Sequence, residues 1–394
     1  MVKLSRRSAL LGLSAVFTLG RGSLALAQAQ TEKRLIVINL RGAMDGLATV
    51  IPYGDPGLAE LRGAVSPAPG EPNGPLDLGG FYALNPAMTN LYTMYKAGEF
   101  LPIHAVAGPY RDRSHFLAQD FLESGADHRL ASGWLNRTLV AIPTPAGLPP
   151  EREGVAIGGQ VPLLMRGAAP VSNWAPGGLP SPEAGLYATI AALNRPDPVI
   201  GPAVMIGLSS RGFSAGVLNG MEQDRSQGQF ATLATSAGQM LRTANGPRIA
   251  SMELGGWDTH IGQAVRLTNL LRQLDNGLSA LKTTLGPIWR QTVVLVMTEF
   301  GRTAKMNGTG GTDHGTGTVS LVIGGAVAGG RVAGTWPGVG PGKLLDNRDL
   351  APTTDLRAIT KAILAQHLGL DRRALGQIFP GSEAVEPMGG VIQT

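Results

Sequence analysis

Four apolar runs that each lead into a polar residue constrain this chain most. Leu35, Ile36, Val37, Ile38, Asn39 and Leu40 lead to Asp45, and Leu101 to Val106 leads to Ser114. Ile249 to Leu254 leads to Asp258 and His260, and Thr292 to Met297 runs straight into Glu299. A fifth polar station, His314, lies in a glycine-rich loop. Short, nearly continuous apolar runs are what strands buried on both faces require, as in parallel sheets. Open α/β sheets bind ligands beyond the carboxyl ends of their strands, so residues distant in sequence meet on one edge. A hydroxyl, carboxylates and imidazoles gathered there make a metal-assisted hydrolytic site the expected outcome.

The amino terminus carries its own signal. Ser5, Arg6, Arg7, Ser8, Ala9 and Leu10 precede an apolar stretch to about Gly20, followed by Ala25, Leu26 and Ala27. A basic start, a short apolar core and small residues spaced for cleavage read as a secretory signal over residues 1–29, and the paired arginines suggest the twin-arginine route. The apolar run falls short of the roughly 20 residues a membrane span needs. The expected location is therefore the periplasm or the exterior of a bacterium, with the twin-arginine translocase as a partner during export and no stable membrane span. Lys3, Arg6, Arg7 and Arg21 contribute four of the net charge of +5. With them removed, neither the remaining balance nor any basic stripe indicates nucleic-acid binding. The absence of cysteine excludes disulfides, thiolate nucleophiles and sulfur-ligated zinc.

Downstream, Asn85-Pro86 opens a helical pattern that Gly98 ends, and a strand follows at once. Leucines 267, 270, 271, 274, 278, 281 and 285 hold helical spacing until Gly286-Pro287 stops them, and the next apolar run returns to the sheet. A last helix is expected near Thr354 to His367. Between about 141 and 228 prolines and glycines break the pattern, and this stretch reads as an inserted lobe. The expected architecture is one α/β domain over residues 30–394.

Each station has a structural reading beside its chemical one. Asp45, in a glycine-bordered turn, serves either local hydrogen bonding or a hard cation. Ser114, flanked by Arg111 and Arg113, opens a helix and is either its N-cap or a nucleophile placed where an anion would bind. His115 is its base or a metal ligand. Asp258 and His260, two apart in an extended loop, point to one side as a ligand pair. Glu299 is a metal ligand or a buried carboxylate paired with Arg302. The glycines from Gly308 to Gly317 lack the spacing of a phosphate-binding loop and precede a strand, so they are expected to let the loop fold back and bring His314 to the metal. His104, His128 and His367 have no such setting and read as structural. Nitrogen and carboxylate ligands suit Zn²⁺, Mn²⁺, Mg²⁺ or Ca²⁺.

In order, Asp45, Ser114, Asp258 with His260, Glu299 and His314 resemble the alkaline-phosphatase-like superfamily of phosphatases and sulfatases. The signal together with Arg113-Ser-His-Phe, Gly255-Gly-Trp-Asp-Thr-His, Thr298-Glu-Phe-Gly-Arg-Thr and Thr312-Asp-His-Gly-Thr is similar to one branch of it, the exported bacterial family known as domain of unknown function 1501. The resemblance implies a three-layer α/β/α sandwich with a mostly parallel central sheet, and a site for one or two divalent metals. Asp258, His260 and His314 would hold one metal, while Asp45 and Glu299 would hold the other beside Ser114. It further implies hydrolysis of an anionic phosphate or sulfate ester. Superfamily members usually carry Asp-His-Gly where this chain has Glu299-Phe300-Gly301. That replacement leaves a catalytically silent protein that binds an anionic glycan or an assembly partner as the alternative.

Overall fold

The computed structural model describes residues 33–142, 154–175 and 228–393, apart from 64, 66 and 245, together with residue 193. The expected signal over 1–29 lies outside the described residues.

Eight strands form the main sheet in the order β11-β5-β10-β9-β1-β8-β6-β7. They are β1 (Arg34–Leu40), β5 (Phe100–Ala107), β6 (Gly154–Ile157), β7 (Ser172–Trp174), β8 (Ile249–Leu254), β9 (Thr292–Thr298), β10 (Thr318–Ile323) and β11 (Thr354–Asp355). A small antiparallel sheet joins β2 (Val50–Ile51), β4 (Ala83–Leu84) and β3 (Leu76–Asp77). Within the main sheet β10 runs against its neighbours β5 and β9, while every other pairing is parallel.

Alternate residues of each central strand point to opposite faces, and both faces are covered. Ile36, Ile38, Leu40, Val294 and Val296 pack with the helices Thr89–Lys96, Gln229–Arg242 and Gln263–Leu285. Leu35, Val37, Val293, Leu295 and Met297 pack with Trp134–Ala141, Leu356–Ala362 and Arg372–Ile378 on the other side. The three-layer α/β/α sandwich with a mostly parallel sheet is therefore the observed architecture. The leucine pattern fills one side of the Gln263–Leu285 helix, where Leu267, Leu271, Leu274, Leu278, Leu281 and Leu285 are all buried.

Of the stretch 141–228, read as an inserted lobe, the described residues include two strands. β6 and β7 extend the sheet beyond β8, with Val155 registered against Ala250. Three- and four-residue strands among prolines are too short to show a period, which is why the segment looked irregular. Residues 143–153, 176–192 and 194–227 lie outside the described residues.

His104 and His367 are structural, as expected. The His104 ring lies with Nε2 2.9 Å from the Val50 carbonyl and Nδ1 accepting from the Ala105 amide. Nε2 of His367 is 3.0 Å from the Arg34 carbonyl. Burial pulls both down to about 4. An unfolded histidine takes up its proton near 6.5, so between about pH 6.5 and 4 the unfolded state binds more protons and stability falls as the pH falls. Each contributes at most roughly 3 kcal/mol of this loss. Urea midpoints should hold steady above pH 6.5 and drop across that window, with a shallower drop in His104→Asn. Midpoints that do not change from pH 7 to 4.5 would contradict it.

Candidate metal centre

The five stations do share one edge. β1, β5, β8 and β9 end there, releasing the loops that carry Asp45, Ser114 with His115, Asp258 with His260, and Glu299. His314 precedes a strand instead of following one. Because β10 is antiparallel, its amino-terminal end opens on the same edge. Close loop packing completes the gathering. A Cβ at Gly42, which has φ of 119°, would lie 2.5 Å from the Asp258 amide, and one at Gly311 would lie 2.1 Å from the His260 carbonyl oxygen. Only glycine lets these backbones approach so closely.

Four side chains converge. Asp258 Oδ1 lies 3.0 Å from Nε2 of His260, 3.2 Å from Nε2 of His314 and 3.4 Å from Nε2 of His115. Nε2 of His314 is 3.0 Å from Nε2 of His115 and 3.0 Å from Nε2 of His260. Each ring is anchored through its other nitrogen. Nδ1 of His115 meets Glu299 Oε1 at 2.7 Å, that of His260 meets Asp313 Oδ1 at 2.9 Å, and that of His314 meets the Arg113 carbonyl at 2.9 Å. Carboxylates and carbonyls only accept, so in all three rings Nδ1 carries the proton, and a neutral ring then turns the Nε2 lone pair to the centre. Three lone pairs and a carboxylate oxygen facing one another repel unless a positive centre lies among them. A four-coordinate cation with bonds of about 2.0–2.1 Å separates its donors by roughly 3.3 Å, close to the spacing among His115, Asp258 and His314. His115, Asp258 and His314 therefore fit a divalent metal, with His260 beside them in contact with Asp258 and His314.

The electrostatics are asymmetric. The Glu299 hydrogen bond raises the pKa of His115 above its ordinary value, whereas burial lowers that of His314. Burial pushes Asp258 up, but the Arg302 hydrogen bond and charge outweigh it and the pKa lies below the usual range. Burial also pushes Glu299 up, against the His115 hydrogen bond and backbone amides that hold it down as an anion.

Several expected roles change. His115, read as a base or a ligand, belongs to the donor set. Glu299 is not among the converging donors: besides His115 it accepts from the Gly42 amide at 2.8 Å, Thr298 Oγ at 2.9 Å and Gln119 Nε2 at 3.2 Å. It orients a ligand and is not paired with Arg302, which donates to Asp258 at 2.7 Å. Asp45 is buried and fully engaged. It accepts from Arg62 Nη1 at 2.6 Å and Gln263 Nε2 at 2.6 Å, and caps the helix Gly46–Thr49. In place of the expected second metal position, these two carboxylates hold the loops. The Arg113 guanidinium is taken by Asp349 at 2.7 Å and Asp346 at 3.2 Å, so Arg113 serves the centre through its carbonyl and not as an anion clamp. Its φ of 62° is part of that turn. Ser114 stands at the N-cap of the His115–Ser124 helix without a side-chain capping bond.

One contributor was missed. Asp313, which orients His260, adjoins His314 in the sequence, but a surface aspartate in a glycine loop gives no signal of its own. Phe300, which follows Glu299 in the motif, is buried and stacks on His115 with ring centroids 4.9 Å apart and 5.2 Å from His314. It is an apolar wall for two ligands.

The engagement of Asp45 makes a stability prediction. Asp45→Ala should destabilise the fold by about 3–5 kcal/mol, because it strands the largely buried Arg62 and Gln263 and removes a cap. Denaturant unfolding measures this, and a loss under about 1 kcal/mol would show that Arg62 finds water instead.

No curated protein matches the chain. Solved structures align at low identity. A TAB5 alkaline phosphatase mutant with Mg bound in its M3 site is 12% identical, with 74% of this chain and 90% of that one covered and a TM-score of 0.35. The phosphonate monoester hydrolase of Agrobacterium radiobacter is 13% identical over 91% of this chain and 78% of that one, with a TM-score of 0.34. A 2-O GAG sulfatase is 11% identical over 90% and 73%, also with a TM-score of 0.34. Over residues 215–379, which carry Asp258, His260, Glu299 and His314, the chain matches the family described as Protein of unknown function (DUF1501), the branch its motifs resemble.

Proposed function

We propose that this protein is an exported, metal-dependent hydrolase of phosphate or sulfate esters that works with a single divalent cation. The observation that carries the reading is the convergence of three Nε2 atoms and the Asp258 carboxylate, each imidazole fixed by a partner on Nδ1. Orienting partners of this kind raise ligand basicity and fix the tautomer. His115, Asp258 and His314, with His260 beside them, would hold the cation, which would supply Lewis acidity and charge neutralisation for an anionic ester.

The chain's own residues supply the rest. Ser114 lies between Arg113, whose carbonyl holds His314, and His115, so its hydroxyl is borne by the backbone that builds the centre. Unused as a cap and placed at a positive helix end, it is the candidate nucleophile. Arg302 fixes one oxygen of Asp258, and Phe300 excludes water from behind two rings. A binding-only reading has one observation in its favour: Asp45 and Glu299 are committed elsewhere, leaving donors for one metal only among the described residues.

The test is turnover of phosphate mono- and diesters and sulfate esters by metal-loaded protein, with Zn²⁺, Mn²⁺, Mg²⁺ and Ca²⁺ in turn. A silent panel, combined with retention of anionic glycans, would favour the binding-only reading. Export is tested separately. Arg6→Lys with Arg7→Lys should leave unprocessed precursor in the cytoplasm, since the translocase reads the pair as an address. Normal processing of that variant would remove the twin-arginine assignment.

A further inference from the structure

Six large apolar side chains are exposed among the described residues, and four of them adjoin the donor histidines. Phe116 (85% exposed) and Leu117 (49%) follow His115, while Ile261 (60%) follows His260 and Val265 (71%) lies one turn beyond it. Scattered exposed apolar residues need no explanation, but a concentration around one feature does.

Their placement is what gives them meaning. Phe116 and Leu117 occupy the first turn of the His115–Ser124 helix, whose Leu122 packs on one face of the sheet. Val265 occupies the first turn of Gln263–Leu285, which covers the other face. Both helices start at the ligand-bearing edge, so apolar side chains stand on either side of the histidine cluster. They sit in opening turns and are largely exposed, so they project outward. The exposed cations Arg266, beside Val265, and Lys305, in the loop whose Asn307 holds the His260 carbonyl, add positive charge. Outward-projecting apolar residues with flanking cations match an interfacial surface, in which side chains enter the acyl boundary and basic groups meet anionic headgroups.

We propose that this collar docks the protein on an anionic lipid bilayer, with the metal centre facing the headgroups. No helix among the described residues is long and apolar enough to cross a membrane, so attachment by this face would be peripheral. The proposal does not depend on ester hydrolysis, and its readout requires no turnover.

The test is co-sedimentation of the full chain with vesicles of phosphatidylglycerol and phosphatidylcholine in equal parts, and with vesicles of phosphatidylcholine alone. Binding should favour the anionic vesicles and weaken with salt. Phe116→Ser and Val265→Ser should each lower the partition coefficient on the order of tenfold. Arg266→Glu with Lys305→Glu should remove the preference for anionic lipid. All four positions are exposed, so unfolding midpoints should match the parent and confirm folded variants. Absence of vesicle binding, or binding indifferent to Phe116 and Val265, overturns the proposal. So would a dimer detected by light scattering that Phe116→Ser dissociates, which would assign the collar to a second copy.

Discussion

His314→Ala is expected to abolish metal binding. Its Nε2 lies within 3.2 Å of donor atoms on His115, His260 and Asp258, so it contacts every other member of the cluster. Protein purified without chelator should carry about one divalent metal per chain, and added metal should raise the melting temperature by binding the folded state alone. Replacing an orienting partner is the milder change. Glu299→Gln and Asp313→Asn should weaken affinity roughly 10–100-fold, and loss of a direct donor should exceed that. Protons compete for the same lone pairs. Glu299 raises the pKa of His115, so this ring gains its proton first as the pH falls from neutrality, and affinity should decline from there. Glu299→Gln should move the onset to lower pH while weakening affinity overall. Competition against a chromophoric chelator across pH measures both effects. Native protein that holds no metal and whose melting temperature ignores added metal would end the metal reading.

The parts of this centre legible in the sequence were those set by the backbone. Runs such as Leu35–Leu40 and Thr292–Met297 can only be buried strands, so the stations after them had to share an edge. Asp258 and His260 two apart in an extended loop had to face one side, and their 3.0 Å contact bears that out. Which carboxylate meets the centre was not legible, because it depends on where long side chains reach. Arg62, 17 residues past Asp45, takes that carboxylate, and Arg302 reaches Asp258 in preference to the nearby Glu299. Motif order cannot distinguish a ligand from the residue that orients one. Glu299 shows why: it occupies a ligand's place in the motif, yet its 2.7 Å contact to Nδ1 puts His115 between it and the centre.

Ser114→Ala is expected to leave the protein folded and metal-loaded while removing turnover. Loss of a capping hydroxyl ordinarily costs about 1 kcal/mol, and here the side chain makes no capping bond, so the cost should be smaller still. Removal of a nucleophile costs several orders of magnitude in kcat, which no such stability change explains. The contrast with Glu299→Gln makes the assignment specific. That variant holds its metal weakly because His115 loses its anchor, so excess metal should restore much of its rate. Ser114→Ala keeps every donor, and excess metal should restore nothing. His115 should fail in both respects, since His115→Ala removes a direct donor that neither metal nor substrate replaces. If Ser114→Ala retains the parent kcat while His115→Ala loses metal and turnover together, the nucleophile is a water molecule. Ser114 would then be only the residue that starts the helix carrying His115.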